Sequence, residues 1–292
     1  MTPFSLHWVI EKKDDEKFIK HFLSEHDISR RALTDIKFNG GFIKVNGKEE
    51  NVRYRLTCGD SLEVIFPAEE RSESLITEDI PLQIIYEDPY ILVINKPPYM
   101  STIPSREHPS GSLANALMGY YRRNSVESSA HIVTRLDRNT SGLVLIAKHR
   151  HIHHLCGLMQ QGKKIKRVYQ ALVEGVFFEK SGTIEEPIGR KETSIIEREV
   201  RQDGQYACTH FEVLKQFEDF CHIKLWLETG RTHQIRVHMS FIGHPLLGDE
   251  LYGGRTDRFR RQALHCSNLQ FIHPVTKEEM HFHSEIPEDI RL

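Results

Sequence analysis

The chain has 292 residues, 39% of them hydrophobic and 27% charged, with a formal net charge of −2 at pH 7. This length and composition indicate a globular protein of one large domain or two unequal ones, and exclude a disordered or fibrous chain. The N-terminal residues lack the apolar run of a signal peptide and no later segment is long enough to cross a membrane, so we expect a cytoplasmic protein.

The first predicted elements form a compact module over residues 1–67. Residues 17–38 carry apolar side chains at helical spacing, which predicts a pair of short helices. Strand-like alternation follows, with a hairpin signal at residues 45–48 (Val-Asn-Gly-Lys) and a Gly-Asp turn at residues 59 and 60 before a last strand. The next segment, 68–80, is polar and acidic, and we interpret it as an interdomain linker.

The remaining residues, 81–292, are predicted to form a second domain. Two β-rich runs flank a turn at residues 87–89, and a helix follows at 111–123. Strands are predicted at 142–148, 166–175, 209–217 and 221–229, interleaved with helices at 149–161 and 232–243. This mixed order favours an α+β fold, with flanking helices on a largely antiparallel mixed β-sheet, over a doubly wound one.

Positive charge is concentrated between residues 122 and 167. This window holds ten basic and two acidic side chains, a local excess of +8, together with five histidines. The net charge of the whole chain is unlike that of a typical nucleic-acid-binding domain, but a concentrated patch of this kind attracts a polyanion.

Within this window, Asp137 lies between Arg135 and Arg138 in the sequence Thr-Arg-Leu-Asp-Arg-Asn-Thr-Ser-Gly. Neighbouring cations favour the ionised form of a carboxyl group, which can act as a nucleophile or stabilise an oxocarbenium-like transition state. The stretch 134–148 offers no second carboxylate, which hydrolysis normally requires, whereas a base such as uracil leaves as a stabilised anion and needs less acid assistance. The alternative is that Asp137 opens a turn and pairs with an arginine.

Three other features do not indicate chemistry of their own. Ser141 lacks the Gly-x-Ser-x-Gly setting of a serine nucleophile, so a turn before a strand is the better interpretation. The histidine run at 149–154 matches no strong zinc pattern and is expected on a solvated or RNA-facing helix. The five scattered cysteines predict neither a disulfide framework nor a zinc site, and we expect no metal or other cofactor.

Residues 227–254 pass from a strand into a helix that carries Arg236 beside Ile235. A guanidinium near the apolar side of a helix needs a carboxylate partner, and Asp137 is a candidate; the alternative is an ordinary basic helix face. Tyr169, in the strand at 166–175, is either an ordinary strand aromatic or a stacking platform for an extruded base.

Five motifs follow one another from about residue 82 to the C-terminus: YEDPYILVINKPP, RLDRNTSGLVLIAK, KRVYQALVEG, TGRTHQIRVHMSFIGHPLLGDELYG and ALHCSNLQFIHPVTKEEMHFHSEIP. In this order they resemble the RluA family of RNA pseudouridine synthases. The resemblance implies the pseudouridine synthase fold and an isomerase that acts on structured RNA by base flipping and an aspartate-dependent rearrangement of the glycosidic bond.

The resemblance also implies catalytic roles for individual residues. Asp137 matches the catalytic aspartate, and Tyr169 the tyrosine that packs on the target uracil and is a candidate base for the last proton removal. Arg236 matches the arginine that forms a salt bridge with the aspartate, and Ile235 the aliphatic residue beside it.

Further matches concern contacts with the RNA. Arg135 matches the position that fills the stack vacated by the flipped nucleotide, and Arg138 is expected to attract phosphate. Arg167 stands where the family commonly has lysine and Thr134 where it often has histidine, which leaves substrate choice less defined than the reaction. Lys96 matches a motif position whose role we expect to be structural.

Residues 1–67 resemble the small S-four-like RNA-binding domain found ahead of many such synthases, on the pattern SRRALTDIKFNGGFIKVNGKEENVRYRLTCGDSLEVIF. Residues 1–79 carry 12 basic and 16 acidic side chains, a net charge of −4, so RNA contacts must come from one face. Arg30, Arg31 and Lys37 are the candidates.

We therefore predict an RNA pseudouridine synthase, a monomer without an obligate protein partner, whose substrate is ribosomal RNA of the large subunit in preference to transfer RNA. One alternative is a non-catalytic RNA-binding or ribosome-assembly factor, which would tolerate loss of Asp137, Tyr169 or Arg236. Another is a nucleoside or sugar hydrolase, which would need a second acid and a small-molecule pocket without the +8 patch of basic side chains.

Overall fold

The computed structural model describes residues 4–69 and 75–291 of the chain. Within these ranges the chain forms a four-stranded, a ten-stranded and a two-stranded sheet, together with five α-helices. No helix of these ranges is long and apolar enough to cross a membrane. The mixture of sheets and helices confirms the predicted α+β class.

The first sheet and two helices build the N-terminal module. Its helices are α1 (Ile19–Glu25) and α2 (Arg30–Phe38), and its strands are β1 (Ser5–Val9), β2 (Phe42–Val45), β3 (Lys48–Glu49) and β4 (Ser61–Ile65). All pairs are antiparallel, in the order β1-β4-β2-β3. Ser29 starts α2 because its side chain accepts a hydrogen bond from the Ala32 N–H at 3.1 Å. The two helices, the hairpin and the last strand are as predicted, whereas β1 was not predicted.

Residues from 84 onward contain the ten-stranded sheet and a two-stranded one, β11 with β12. Their strands are β5 (Ile84–Glu87), β6 (Ile91–Lys96), β7 (His131–Ile132), β8 (Ser141–Ala147), β9 (Lys166–Glu174), β10 (Ser181–Glu185), β11 (Ile188–Arg190), β12 (Arg198–Val200), β13 (Cys208–Gln216), β14 (Phe220–Leu227), β15 (Leu264–Ile272) and β16 (Glu279–His283). The large sheet runs β10-β13-β14-β9-β15-β8-β6-β5, with β16 paired to β15 and β7 to β8. Among the described pairs, β8 with β15 is parallel and the others are antiparallel, as expected for a largely antiparallel mixed sheet.

Strand β15 joins the two halves of the large sheet at the start of β8. Its residues His265 and Cys266 lie opposite Ser141 and Gly142. The backbones approach so closely that a Cβ atom on Gly142 would lie 2.3 Å from the Cys266 carbonyl oxygen, and Gly142 has a φ of +117°. Because β8 follows the turn that contains Asp137, this junction fixes the turn to the middle of the sheet.

Three helices accompany the large sheet: α3 (Leu113–Arg123), α4 (Arg150–Gln161) and α5 (Gln234–Phe241). Ser112 and Asn115 form a capping box at the start of α3, and the His149 side chain caps α4 by accepting a hydrogen bond from the His151 N–H. The three helices lie within the predicted ranges. The apolar residues of β6, β8, β9 and β14 form the main core together with one face of α3.

The N-terminal module packs against the start of α4. The Phe4 ring stacks on His149 with centroids 3.9 Å apart, and the Phe66 ring stacks on His151 at 5.1 Å. Both histidines are buried, whereas His153 is exposed. The prediction that the histidine run lies on a solvated or RNA-facing helix is therefore wrong for His149 and His151, because aromatic side chains of the module cover them.

The segment predicted as a linker, 68–80, is described at both ends, while its residues 70–74 lie outside the described ranges. Glu69 is buried, accepts a hydrogen bond from the Arg150 N–H at 2.5 Å and lies 2.5 Å from His131 Nε2. Further along, the Ile76 carbonyl accepts a hydrogen bond from Asn115 Nδ2 at 2.8 Å. Both described ends are thus attached to the part of the chain that carries the large sheet.

Candidate active site

Asp137 lies in the turn between β7 and β8, with its side chain about a quarter exposed. The turn is closed by a hydrogen bond from the Thr140 N–H to the Asp137 carbonyl at 3.0 Å. The carboxylate Oδ2 lies 3.3 Å from Arg236 Nη1 and 4.0 Å from His233 Nε2. Asp137 therefore both opens a turn and presents a paired carboxylate to a cleft.

Arg236 lies on the first turn of α5 and is 6% exposed. Its strongest partner is Asp249, which accepts hydrogen bonds from Nε at 2.7 Å and from Nη2 at 2.8 Å. The Tyr252 ring covers the guanidinium, with the Arg236 Cζ atom 4.8 Å from the ring centroid. Two carboxylates therefore meet one buried guanidinium, and the second of them, Asp249, was not predicted.

His233 was also missed as a neighbour of the carboxylate. It precedes α5 with a left-handed φ of +58°, and its Nδ1 lies 2.8 Å from the Tyr252 hydroxyl. Burial lowers the pKa of His233, although the nearby Asp137 carboxylate acts in the opposite direction. The residues that were missed, His233, Asp249 and Tyr252, all lie in the motif TGRTHQIRVHMSFIGHPLLGDELYG, so the sequence carried a signal for them. No local pattern, however, shows which of these side chains meet.

The backbone of the Asp137 turn is held by buried polar side chains from distant elements. Thr102 Oγ1 donates a hydrogen bond to the Leu136 carbonyl at 2.6 Å and accepts one from the Leu136 N–H at 3.2 Å. Arg261 Nη1 donates to the Asn139 carbonyl at 3.0 Å. The turn is thus fixed on both sides of Asp137.

Lys96 supports the same turn and has no solvent exposure. Its Nζ donates hydrogen bonds to the carbonyls of Pro97, Met100 and Arg138 at 2.9, 2.8 and 3.2 Å. Burial lowers the pKa of Lys96 to about 7, and this effect outweighs the opposing effect of the nearby Asp137 carboxylate. These contacts agree with the expected structural role of Lys96.

Tyr169 lies on β9 and is 4% exposed, so one edge of its ring reaches the cleft. Burial raises the pKa of its hydroxyl, which is therefore protonated at neutral pH. The Arg167 guanidinium carbon lies 5.9 Å from the Tyr169 ring centroid. Such a phenol can pack against a base, but it is a weak proton acceptor without a partner that removes its own proton.

The structure brings together six of the seven predicted site residues in one cleft. These are Asp137, Tyr169, Arg236, Ile235, Arg135 and Arg167. The seventh, Arg138, is exposed outside this lining, and its carbonyl is the one that Lys96 holds. A wider groove continues from the cleft and is lined by several further basic side chains, including Lys166 and Arg231.

One cluster of potential metal ligands lies near this groove. Side-chain atoms of Cys208, His210 and Glu228 lie within 4.8 Å of one another. They already interact, with His210 Nε2 3.1 Å from Glu228 Oε1 and 3.5 Å from Cys208 Sγ, and Lys163 pairs with the same glutamate at 2.7 Å. This set is complete as a hydrogen-bonded cluster, and we assign no metal to it.

Comparison with known proteins identifies the family. The family model described as RNA pseudouridylate synthase matches residues 90–241. A Bacillus subtilis (strain 168) protein named uncharacterized RNA pseudouridine synthase YjbO is 53% identical over 272 residues, covering 93% of this chain and 96% of the relative. The chain belongs to the RNA pseudouridine synthase family. The predicted fold and reaction are thereby confirmed: the synthase is an isomerase that converts uridine in RNA to pseudouridine.

Two further comparisons place the synthase among relatives of differing similarity. Ribosomal large subunit pseudouridine synthase D of Vibrio parahaemolyticus is 40% identical over 279 residues, covering 90% of this chain and 85% of the relative. The solved structure of human RNA pseudouridylate synthase domain containing 1 has a TM-score of 0.60 at 26% identity, covering 71% of the synthase and 84% of that chain. The fold of the large sheet is therefore that of a pseudouridine synthase.

Proposed function

We propose that the synthase modifies uridine in large-subunit ribosomal RNA and that Asp137 carries the chemistry. The observation that supports this most directly is the Asp137 carboxylate, 3.3 Å from Arg236 and open to a cleft that Tyr169 also lines. The choice of RNA rests on relatives from Vibrio parahaemolyticus and Haemophilus influenzae that are named ribosomal large subunit pseudouridine synthase D.

In this proposal the target uridine leaves the RNA stack and enters the cleft. Asp137 promotes cleavage of the bond between C1′ and uracil N1, either by adding to the sugar or by assisting a glycal-like route. Uracil leaves as an anion, turns within the cleft, and forms a bond from its C5 to C1′. In the first route this attack breaks the bond between Asp137 and C1′; in the second, the proton that Asp137 removes from C2′ returns to C2′ as the C5–C1′ bond forms. Loss of the C5 proton and protonation of N1 complete the isomerisation without any net gain or loss of atoms.

The remaining cleft residues bind and orient the nucleotide. Tyr169 and Ile235 pack on the uracil, and Arg236 orients the Asp137 carboxylate through its Nη1 atom, 3.3 Å from Oδ2. Arg135 is exposed at the mouth of the cleft and fills the vacated place in the RNA stack. Arg167, beside Tyr169, and the exposed Arg138 contact phosphate groups.

We also propose that residues 1–67 form an S-four-like RNA-binding domain, with 68–80 as the connection to a catalytic domain at 81–292. Arg30, Arg31 and Lys37 on α2 are exposed, which suits a role in contacting RNA. We expect the synthase to act in the cytoplasm as a monomer.

The test compares wild-type synthase with Asp137→Asn on cellular RNA from a strain that lacks the protein. Mapping should find new pseudouridine in large-subunit ribosomal RNA with the wild-type protein and none with the variant. New sites in transfer RNA alone would contradict the proposed substrate, and full activity of Asp137→Asn would contradict the proposed role of the carboxylate. A non-catalytic binding factor would produce no pseudouridine with either protein.

A further inference from the structure

A groove, which we call the flanking groove, continues the catalytic cleft around the ends of β9 and β14 and onto the face of the large sheet opposite to Tyr169. It runs over β13, β14 and β9 and is lined by Arg135, Lys166, Arg167, Lys224, Trp226 and Arg231, among others. Three of these, Arg135, Arg167 and Arg231, line the catalytic cleft as well. Any strand of RNA that leaves the cleft in this direction enters the flanking groove.

Trp226 lies near the end of β14, the strand between β13 and β9, and is 37% exposed. On the sheet it lies opposite Val168 of β9 and His210 of β13. The His210 ring is nearly parallel to the indole, at 18° with centroids 5.3 Å apart, and Lys224 Nζ lies 5.6 Å from the indole centroid. The tryptophan therefore has ordered neighbours at its sides and still presents much of its surface to the groove.

The charges along the flanking groove point to an anionic occupant. Arg135, Lys166, Arg167 and Arg231 form no ion pair with any residue in 4–69 or 75–291. Lys163 and Lys224, in contrast, pair with Glu228 and Glu212. Four cations without a carboxylate partner in these ranges line the same groove as an exposed indole. This is the combination by which proteins bind single-stranded nucleic acid, with phosphates on cations and a base stacked on an aromatic ring.

We propose that the flanking groove binds the RNA strand next to the target uridine, with one unpaired base stacked on Trp226. This inference rests on the proposed function, since it assumes that the catalytic cleft receives a nucleotide of the same strand. It requires the bases that flank the target on this side to be unpaired, because a duplex does not offer a free base face to the indole.

The two tryptophans of the chain, Trp8 and Trp226, make a direct test possible. Trp8 is partly buried and packs against the core of the N-terminal module, so Trp8→Phe retains an aromatic ring there and leaves Trp226 as the single tryptophan. Titrating this variant with oligouridylate should quench the indole fluorescence at the same concentrations at which the RNA binds. Oligouridylate annealed to its complement should quench far less.

Affinity and turnover provide the second measurement. Trp226→Ala should weaken binding of oligouridylate by about 5- to 100-fold, the range for loss of one base stack, whereas Trp226→Phe should stay within about threefold of wild type. On cellular RNA, Trp226→Ala should raise KM and leave kcat within about twofold. The control is Phe178→Ala, which removes an exposed aromatic outside the groove lining and should change neither value.

Unquenched Trp226 fluorescence at saturating RNA, or equal affinity of Trp226→Ala and wild type, would overturn the proposal. The fluorescence titration is repeated in Asp137→Asn with Trp8→Phe, which does not depend on turnover. Quenching without any pseudouridine formation by the wild-type protein would overturn the proposed function and leave the flanking groove as an RNA-binding surface.

Discussion

Arg236 donates two hydrogen bonds to Asp249 and has a single nitrogen, Nη1, facing Asp137. Asp249 thus fixes the direction from which the guanidinium meets the catalytic carboxylate. We expect Asp249→Asn to lower the single-turnover rate by about 10- to 100-fold, because Asp249 orients Arg236 as outer partners orient the ligands of a metal site, where their loss has an effect of this size.

The same substitution leaves a buried guanidinium with less compensating charge, so stability must be measured beside the rate. Asp203→Asn, which weakens the exposed pair with Arg201, is the control and should have little effect on either. An Asp249→Asn protein that turns over at the wild-type rate would show that Asp249 does not position Arg236.

Thr102 holds the Asp137 turn through one hydroxyl group that both donates to and accepts from Leu136. Thr102→Val keeps the shape of the side chain but leaves a buried carbonyl and a buried N–H without a partner, which should reduce the free energy of unfolding by about 1–3 kcal/mol. Single-turnover rates should fall as well, because the turn carries Asp137. Thr102→Ser retains the hydroxyl and should recover most of both losses in urea unfolding and rate measurements.

The contact between the N-terminal module and α4 should weaken in acid. Burial lowers the pKa of His149 from 6.5 to about 4, so the unfolded chain binds a proton between these pH values that the folded protein does not. Stability should therefore fall as the pH drops below 6.5, by up to about 1.4 kcal/mol per pH unit from this group. Protonation of Nδ1 also removes the acceptor that caps α4.

Glu69 should extend the same trend to lower pH. Burial raises its pKa, but hydrogen bonds from His131 and from the Arg150 N–H outweigh burial and lower the pKa to about 2, so its stabilising effect is lost as the pH falls from 4.5 toward 2.

The prediction for His149 is tested by comparing the thermal unfolding of wild type and His149→Asn, which keeps a capping acceptor, between pH 7 and pH 5. The Tm of the variant should fall less over this range; an equal fall would assign the acid sensitivity to other groups.

Gly142 should not tolerate a side chain. Its positive φ and the 2.3 Å approach of a Cβ atom to the Cys266 carbonyl oxygen mean that Gly142→Ala must separate β8 from β15. We expect a loss of more than about 4 kcal/mol, or a failure to fold. The matched control is Gly157→Ala in α4, where a Cβ atom meets nothing within 4 Å and should raise helix stability by up to about 1 kcal/mol. Chemical denaturation of the two variants checks both signs.

The elements predicted correctly are those whose sequence carries its own signal. Residues 142–147 are continuously apolar, and α4 has an apolar face. Strand β15 was not predicted, because its buried residues include His265 and Ser267 and its stability comes from pairing with strands up to 124 residues away.

The site shows the same division. Asp137 and Arg236 stand in recognisable motifs, and their proximity could be predicted because a buried guanidinium needs a carboxylate. The sequence could not predict that Asp249 is the stronger partner of Arg236, since no rule of spacing relates the two residues across the loop that follows α5. Likewise, Trp226 became notable only once the sheet register placed it on the same face as His210 and Lys224.

Glu69 lies in the covalent connection between the two sheets, yet its carboxylate is bound to His131 and to the first residue of α4. A chain shortened to begin at residue 81 would lose this carboxylate together with Phe4 and Phe66, and would leave the α4 cap facing water. The polar composition of residues 68–80 therefore does not mark a position at which the chain can be cut without losing these contacts. If the N-terminal module were transplanted to another synthase, that synthase would have to supply a histidine and a helix N-terminus to bind the Glu69 carboxylate. It would also have to supply aromatic rings, in the same arrangement, on which Phe4 and Phe66 can stack.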